Sequence, residues 1–145
     1  MTKISKTNSI EQVQKQLTAE CFNKLFIGGQ FVDPIDGQKM PTHYPATGEV
    51  FHELPKGNAN DIGSAIRQAE AAWSDGAWAN MPASARGDLV SRMAQGIEEN
   101  IEVLAAIEAA DVGKPFRQAA MVLGGAASEG KYWASLGAVL DAEQD

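Results

Sequence analysis

At Asn58 the chain changes character, and this switch limits the possible folds more than any other feature. Before it, apolar residues come in twos and threes between turn pairs; after it, they recur at three- and four-residue spacing. Leu25, Phe26 and Ile27, then Gly28-Gly29, then Gln30, Phe31 and Val32 predict two short strands about a glycine turn. Asp33-Pro34 and Asp36-Gly37 are turn pairs, residues 39–44 form another extended piece, and residues 45–48 turn again before a strand over 49–54. Beyond the switch, Asn58 is placed to cap a helix, with Asp61 three residues on to complement its dipole. Ile62, Ala65, Ile66, Ala69 and Trp73 then form one apolar face. Asp75-Gly76 breaks that helix and Pro82 starts the next at its first turn. Leu89, Val90, Met93, Ala94, Ile97, Ile101 and Leu104 keep the helical period, with an interruption near Asn100. Gly113, followed by Lys114-Pro115, predicts a stop. A last helix runs over 116–140, and its Gly124, Gly125 and Gly130 each cost about 1 kcal/mol relative to alanine, so it needs close packing against a neighbour. The predicted fold is thus a set of short antiparallel strands followed by several α-helices.

Ahead of this, residues 1–24 read as a polar extension with a short helix. Ser9 and Gln12 have the form of a capping box, and Ile10, Val13, Leu17 and Cys21 fall on one stripe. Residues 1–10 are polar and hold no apolar core of the length a secretory signal needs, so none is expected. The longest apolar run, residues 119–127, is too short to cross a bilayer. The net charge of −7 over 145 residues, with no local Lys/Arg run, argues against a nucleic-acid partner. A single cysteine cannot form an internal disulfide, which fits a reducing cytosol, and no membrane partner is expected.

Chemistry is sparse. Cys21 is the sole thiol, and its place on the apolar stripe reads better as a small buried hydrophobe than as an activated nucleophile. His43 and His52 have no metal-binding companions beside them and read as surface or hairpin residues. Gly113-Lys114 is no phosphate loop, because Glu108 stands where a glycine is needed and Pro115 where Ser or Thr is needed. Gly124-Gly125 with Gly130 has neither the spacing nor the preceding strand of a dinucleotide fingerprint.

Taken in order, however, several segments resemble the aldehyde dehydrogenase superfamily. Residues 25–32 look like its opening strand pair, and Tyr44-Pro45-Ala46-Thr47-Gly48-Glu49-Val50 resembles its Asn-Pro-Ala-Thr-Gly-Glu turn with tyrosine for asparagine. Residues 61–73 are similar to its first amphipathic helix, and Pro82, Arg86 and Leu89 to its next helix start. Asp111-Val112-Gly113-Lys114-Pro115 resembles its Gly-Lys-Pro helix stop, and Tyr132-Trp133-Ala134 its following aromatic pair. Gly-Lys-Pro alone is common; the order and spacing carry the likeness, over residues 25–140.

The resemblance implies an α/β fold in which residues 25–145 form the outer part of a Rossmann-like coenzyme domain. It implies oxidation of an aldehyde to a carboxylic acid with NAD or NADP, through a cysteine thiolate, a glutamate-activated water and an asparagine donor. In the family all of these lie downstream of the matched region, so the chain is expected to be an incomplete piece. It is predicted inactive alone, with no catalytic residue and no bound cofactor; a non-enzymatic binding module or a degraded gene product is the alternative. By resemblance, Thr42, His43 and Asp111 align with positions that hold a monovalent cation in some relatives, partly through backbone carbonyls, while Asp111 as an ordinary helix-end carboxylate is the competing reading. Met121, Gly125 and Trp133 align with residues bordering the aldehyde tunnel, with core packing the rival for Trp133. The family forms homo-oligomers through a hairpin from which residues 140–145 depart, so an oligomer is not expected of this chain.

Overall fold

The computed structural model describes residues 13–14, 17, 23–74 and 76–142. Ser9, Ile10, Gln12 and Cys21 lie outside the described residues, so the capping box and the cysteine's environment are not among the features described.

Two separate antiparallel hairpins come first. β1 (Leu25–Ile27) pairs with β2 (Gln30–Val32), with Phe26 opposite Phe31. The turn between them needs two residues at positive φ to match the strand twist, and Gly28 at 60° and Gly29 at 79° supply them. β3 (Lys39–His43) pairs with β4 (Val50–Pro55), with Thr42 opposite His52 and a register irregularity between Thr42 and His43.

Four helices follow among the described residues: α1 (Ala59–Ser74), α2 (Ala83–Glu99), α3 (Ile101–Val112) and α4 (Phe116–Ala142). The start of α1 is as the sequence predicts. Asn58 Oδ1 accepts from the amides of Asn60 (2.8 Å) and Asp61 (3.2 Å), and Asp61 Oδ2 accepts in return from the amide of Asn58 at 2.9 Å. Asp61 is buried because its other oxygen accepts from the Ile35 amide at 3.1 Å, pinning the first hairpin's exit to the helix. Pro82 sits one residue earlier than expected, as the extended N-cap of α2 with ψ 148°, not within its first turn. The interruption near Asn100 is real: Asn100 leaves helical geometry at φ −117° and its side chain donates to the Gly96 carbonyl at 2.8 Å. The stop at Gly113 is a left-handed cap, φ 71°, whose amide donates back to Ala109.

The core is built of small residues. α2 and α4 pack along most of their length, and α3 also lies on α4. Ala83, Gly87 and Ala94 of α2 and Ala119, Ala127 and Gly137 of α4 are buried in this contact. A Cβ on Gly87 would collide with the Ala134 carbonyl, and one on Gly137 with that of Ala83. The predicted need for a close neighbour at Gly130 is met, since a Cβ there would lie 3.2 Å from that of Ala94. A second cluster joins Val13 and Leu17 to Phe51 of β4 and Ala106 and Ala110 of α3, with Tyr44 and Ile107 against it. Val13 and Leu17, ahead of the first strand, therefore contribute to this core. The apolar face of α1 stands exposed: Ile62, Ile66 and Trp73 are 58%, 61% and 63% exposed, because α1 touches the described structure mainly at β1.

Candidate functional site

The second hairpin and the end of α3 come together at one corner. Gly113 is the hinge of this contact: a Cβ there would stand 3.2 Å from that of Pro45, so the helix end closes directly on the hairpin turn. With the chain held so, Thr42 Oγ1 donates to Asp111 Oδ1 at 2.5 Å, across 69 residues of sequence. Two of the three residues singled out for a cation are thus in contact. The third is engaged elsewhere. His43 Nδ1 lies 3.1 Å from the Gly48 carbonyl, so this nitrogen carries a proton and donates it across the hairpin turn.

That geometry leaves an exposed carboxylate and a hydroxyl, both hard oxygen donors of the kind an alkali or alkaline-earth ion takes. Among the described residues no group of three or more His, Cys, Asp or Glu side chains converges to hold a metal. His52, opposite Thr42, has a buried Nε2 without a hydrogen-bond partner. Nothing in the strand pattern signalled this, because alternation alone does not say what will cover a histidine. The Lys114 ammonium pairs with Glu108 on the same helix end.

Met121, Gly125 and Trp133 sit on α4. All three are exposed, and Trp133 at 64% is not a core residue. Tyr132 and Trp133 meet edge-on with ring centroids 5.2 Å apart. A cleft lined by Asn80, Met81, Pro82, Arg86 and Asp141 lies elsewhere, at the other end of the α2–α4 pair. There Asp141 Oδ1 and Oδ2 accept from the amides of Ala83 and Ser84 at 2.7 and 2.8 Å, so a residue of α4 caps α2. Hydrogen bonds from the Ser84 side chain and then from these amides hold the Asp141 carboxyl below the ordinary aspartate range. The sequence reading missed this cap, since a capping carboxylate is sought beside its helix, not 58 residues later.

In a Rossmann site the pyrophosphate sits at a helix N-terminus that follows a parallel strand. The described strands form two antiparallel pairs, so that particular seat is not formed among the described residues.

Comparison with known proteins gives the family. The model of the aldehyde dehydrogenase family matches residues 31–144. A mitochondrial benzaldehyde dehydrogenase of Antirrhinum majus is 39% identical over 114 residues, covering 79% of this chain and 21% of that protein. A mitochondrial aldehyde dehydrogenase of Homo sapiens is 36% identical over 111 residues, covering 76% and 21%. Among solved structures, betaine aldehyde dehydrogenase of Staphylococcus aureus in complex with NAD+ superposes with a TM-score of 0.82 at 25% identity, over 88% of this chain and 25% of that one. The NAD-dependent aldehyde dehydrogenase of Sinorhizobium meliloti gives 0.76 at 31%, over 79% and 23%. This chain spans about a fifth of the length of the curated relatives it matches.

Proposed function

The chain belongs to the aldehyde dehydrogenase family, and we propose that it serves as the amino-terminal part of a cytosolic enzyme oxidising an aldehyde to a carboxylic acid with NAD or NADP, without catalysing that reaction by itself. The observation that carries this reading is the extent of the match. It fills residues 31–144 yet reaches only about a fifth of the relatives' length. The same proposal includes a monovalent cation at Thr42 and Asp111, with His43 lending its main-chain carbonyl while its ring is held on Gly48. It also includes an aldehyde passage beside Met121, Gly125 and Trp133. A binding module that keeps the front of the fold is the second reading, favoured by the exposed apolar side chains of α1 and α4.

The test is a panel of aldehydes with NAD+ and NADP+. The 145-residue chain alone should release no reduced nicotinamide above the blank. The same chain joined in frame to the remainder of a relative should release acid and reduced nicotinamide in equal amounts. Turnover by the chain alone sinks the reading, and repeating it with Cys21→Ser shows whether the sole thiol is responsible. A silent in-frame fusion favours the binding module.

A further inference from the structure

The turn between β2 and β3 contains a reactive pair. Asp36-Gly37 sets a carboxyl directly before an amide whose own residue has no side chain to shield it. Both residues are exposed. Gly37 stands at φ 65°, a left-handed position that favours glycine, so the turn itself calls for the unshielded residue. Such a pair can close on itself. The Gly37 nitrogen attacks Cγ of the protonated Asp36 carboxyl, an N–Cγ bond forms, and the hydroxyl leaves as water with the amide proton. The cyclic imide then takes water back. Opening at Cγ restores aspartate, whereas opening at the main-chain carbonyl breaks the original peptide bond and routes the chain through Cβ and Cγ as isoaspartate. Water is the only co-reactant.

Contacts of the folded chain oppose this closure at both reacting groups. The Gly37 amide donates to the Pro34 carbonyl at 2.9 Å, so its proton is held. Asp36 Oδ1 accepts from the Gln38 amide at 3.0 Å, and Oδ2 accepts from Asn58 Nδ2 at 3.1 Å. Both donors favour the carboxylate over the acid that ring closure needs. They hold the Asp36 carboxyl below its ordinary range, Asn58 more than Gln38. Asn58 meanwhile accepts with Oδ1 from the amides of Asn60 and Asp61. One side chain thus caps α1 with its oxygen and restrains Asp36 with its nitrogen.

We propose that Asp36-Gly37 is a modification site that converts to isoaspartate through the cyclic imide, and that Asn58 is its guard, so the site opens when the cap of α1 does. Conversion adds one carbon to the main chain and leaves the free carboxyl on Cα. Asn58 then loses its acceptor and the Pro34–Gly37 turn loses its spacing. The Ile35 amide, which ties this turn to Asp61 at 3.1 Å, lies inside the altered stretch. Damage at Asp36 therefore spreads to the start of α1. The exposed α-carboxyl is the group that a protein carboxyl methyltransferase esterifies from a sulfonium methyl donor, and that class of enzyme is the partner the modified turn fits.

The test ages the 145-residue chain at neutral pH, with and without urea, and then digests it with trypsin. Enzymatic methylation and fragment-ion mass spectrometry locate isoaspartate in the peptides of residues 25–39 and 68–86. Asp33, on the first peptide, cannot close in this way because Pro34 has no N–H. Asp75-Gly76, on the second, is the same dipeptide and serves as the internal reference. In urea the two pairs should convert at like rates. In buffer residue 36 should convert at least about tenfold more slowly than in urea, since reaction waits on local opening. Asn58→Asp keeps a good cap for α1 but offers Asp36 no donor. It should speed conversion at residue 36 about fivefold, the worth of one hydrogen bond, and leave residue 75 as it was. Asn58→Ser, an equally good cap without the amide nitrogen, is the second variant and should act in the same sense. Asp36→Glu should abolish the product at that position, because the larger ring closes far more slowly. Equal rates at residue 36 in buffer and urea overturn the proposal. So does an unchanged rate there in both Asn58 variants, or a rise at residues 36 and 75 together, which marks a loosened fold and no local guard.

Discussion

α1 and α2 both carry helical apolar periodicity, yet among the described residues only α2 lies along another helix. In α1 the large residues Ile62, Ile66 and Trp73 stand in solvent, whereas in α2 the small residues Ala83, Gly87 and Ala94 are buried against α4. Even in α2, Met93, which keeps the same helical period, is 71% exposed. Periodicity identifies a face that needs cover; it does not say that the cover lies among the same residues. What decides burial here is the approach of two backbones, which glycine and alanine permit and isoleucine prevents.

The comparison can be broken most severely at the glycine contact. Gly87→Ala places a methyl against the Ala134 carbonyl and should cost about 1–3 kcal/mol by overpacking, despite alanine's better helix propensity. A lower urea midpoint at unchanged slope is the measurement, and a neutral result shows that α2 and α4 separate easily. Gly113→Ala should cost about 1–2 kcal/mol, because a β-carbon disfavours the left-handed cap, and here it also presses on Pro45. Thermal melts of the two variants should therefore rank Gly87→Ala at or below Gly113→Ala.

A smaller effect is expected at Asp141. Its folded-state pKa lies below the ordinary 3.8, so its ionised form favours the folded chain. That contribution is present above 3.8 and is lost as pH falls through the lower folded value. Asp141→Asn should flatten this part of the acid limb, while Asp36, also held low by Asn58 and Gln38, keeps its own share. An acid limb unchanged by the substitution removes Asp141 from the α2 cap. The smallest effect belongs to α1. Ile66→Ala removes a side chain that is 61% exposed and should change stability by no more than about 0.5 kcal/mol. A loss of about 2 kcal/mol instead means that α1 is buried in solution.

Much of the fold was legible because its signals are local. The glycine turn of the first hairpin, the Asn58–Asp61 cap, the break at Asn100 and the Gly113 stop each depend on a few adjacent residues. The illegible parts join distant ones. Asp141 caps a helix that begins 58 residues earlier, and Val13 and Leu17 pack on Phe51 and Ala110. Of the candidate cation residues, Thr42 meets Asp111 across 69 residues of sequence, beside the approach of Gly113 to Pro45, a contact that no local spacing signals. The ring of His43 is turned to Gly48 by a register irregularity that no alternation pattern announces.

The cap on α2 also sets an order of events during synthesis. The amides of Ala83 and Ser84 are made long before the carboxylate that receives them, with Asp141 58 residues behind Ala83. At about 5–20 residues per second, that interval is roughly 3–12 seconds. For that time the amino end of α2 must be served by water, and its glycine-lined face has no α4 to lie on. The helix pair that holds the described structure together is thus its latest to close, and a nascent chain halted before Gly137 emerges is the form most exposed to a protease or a chaperone.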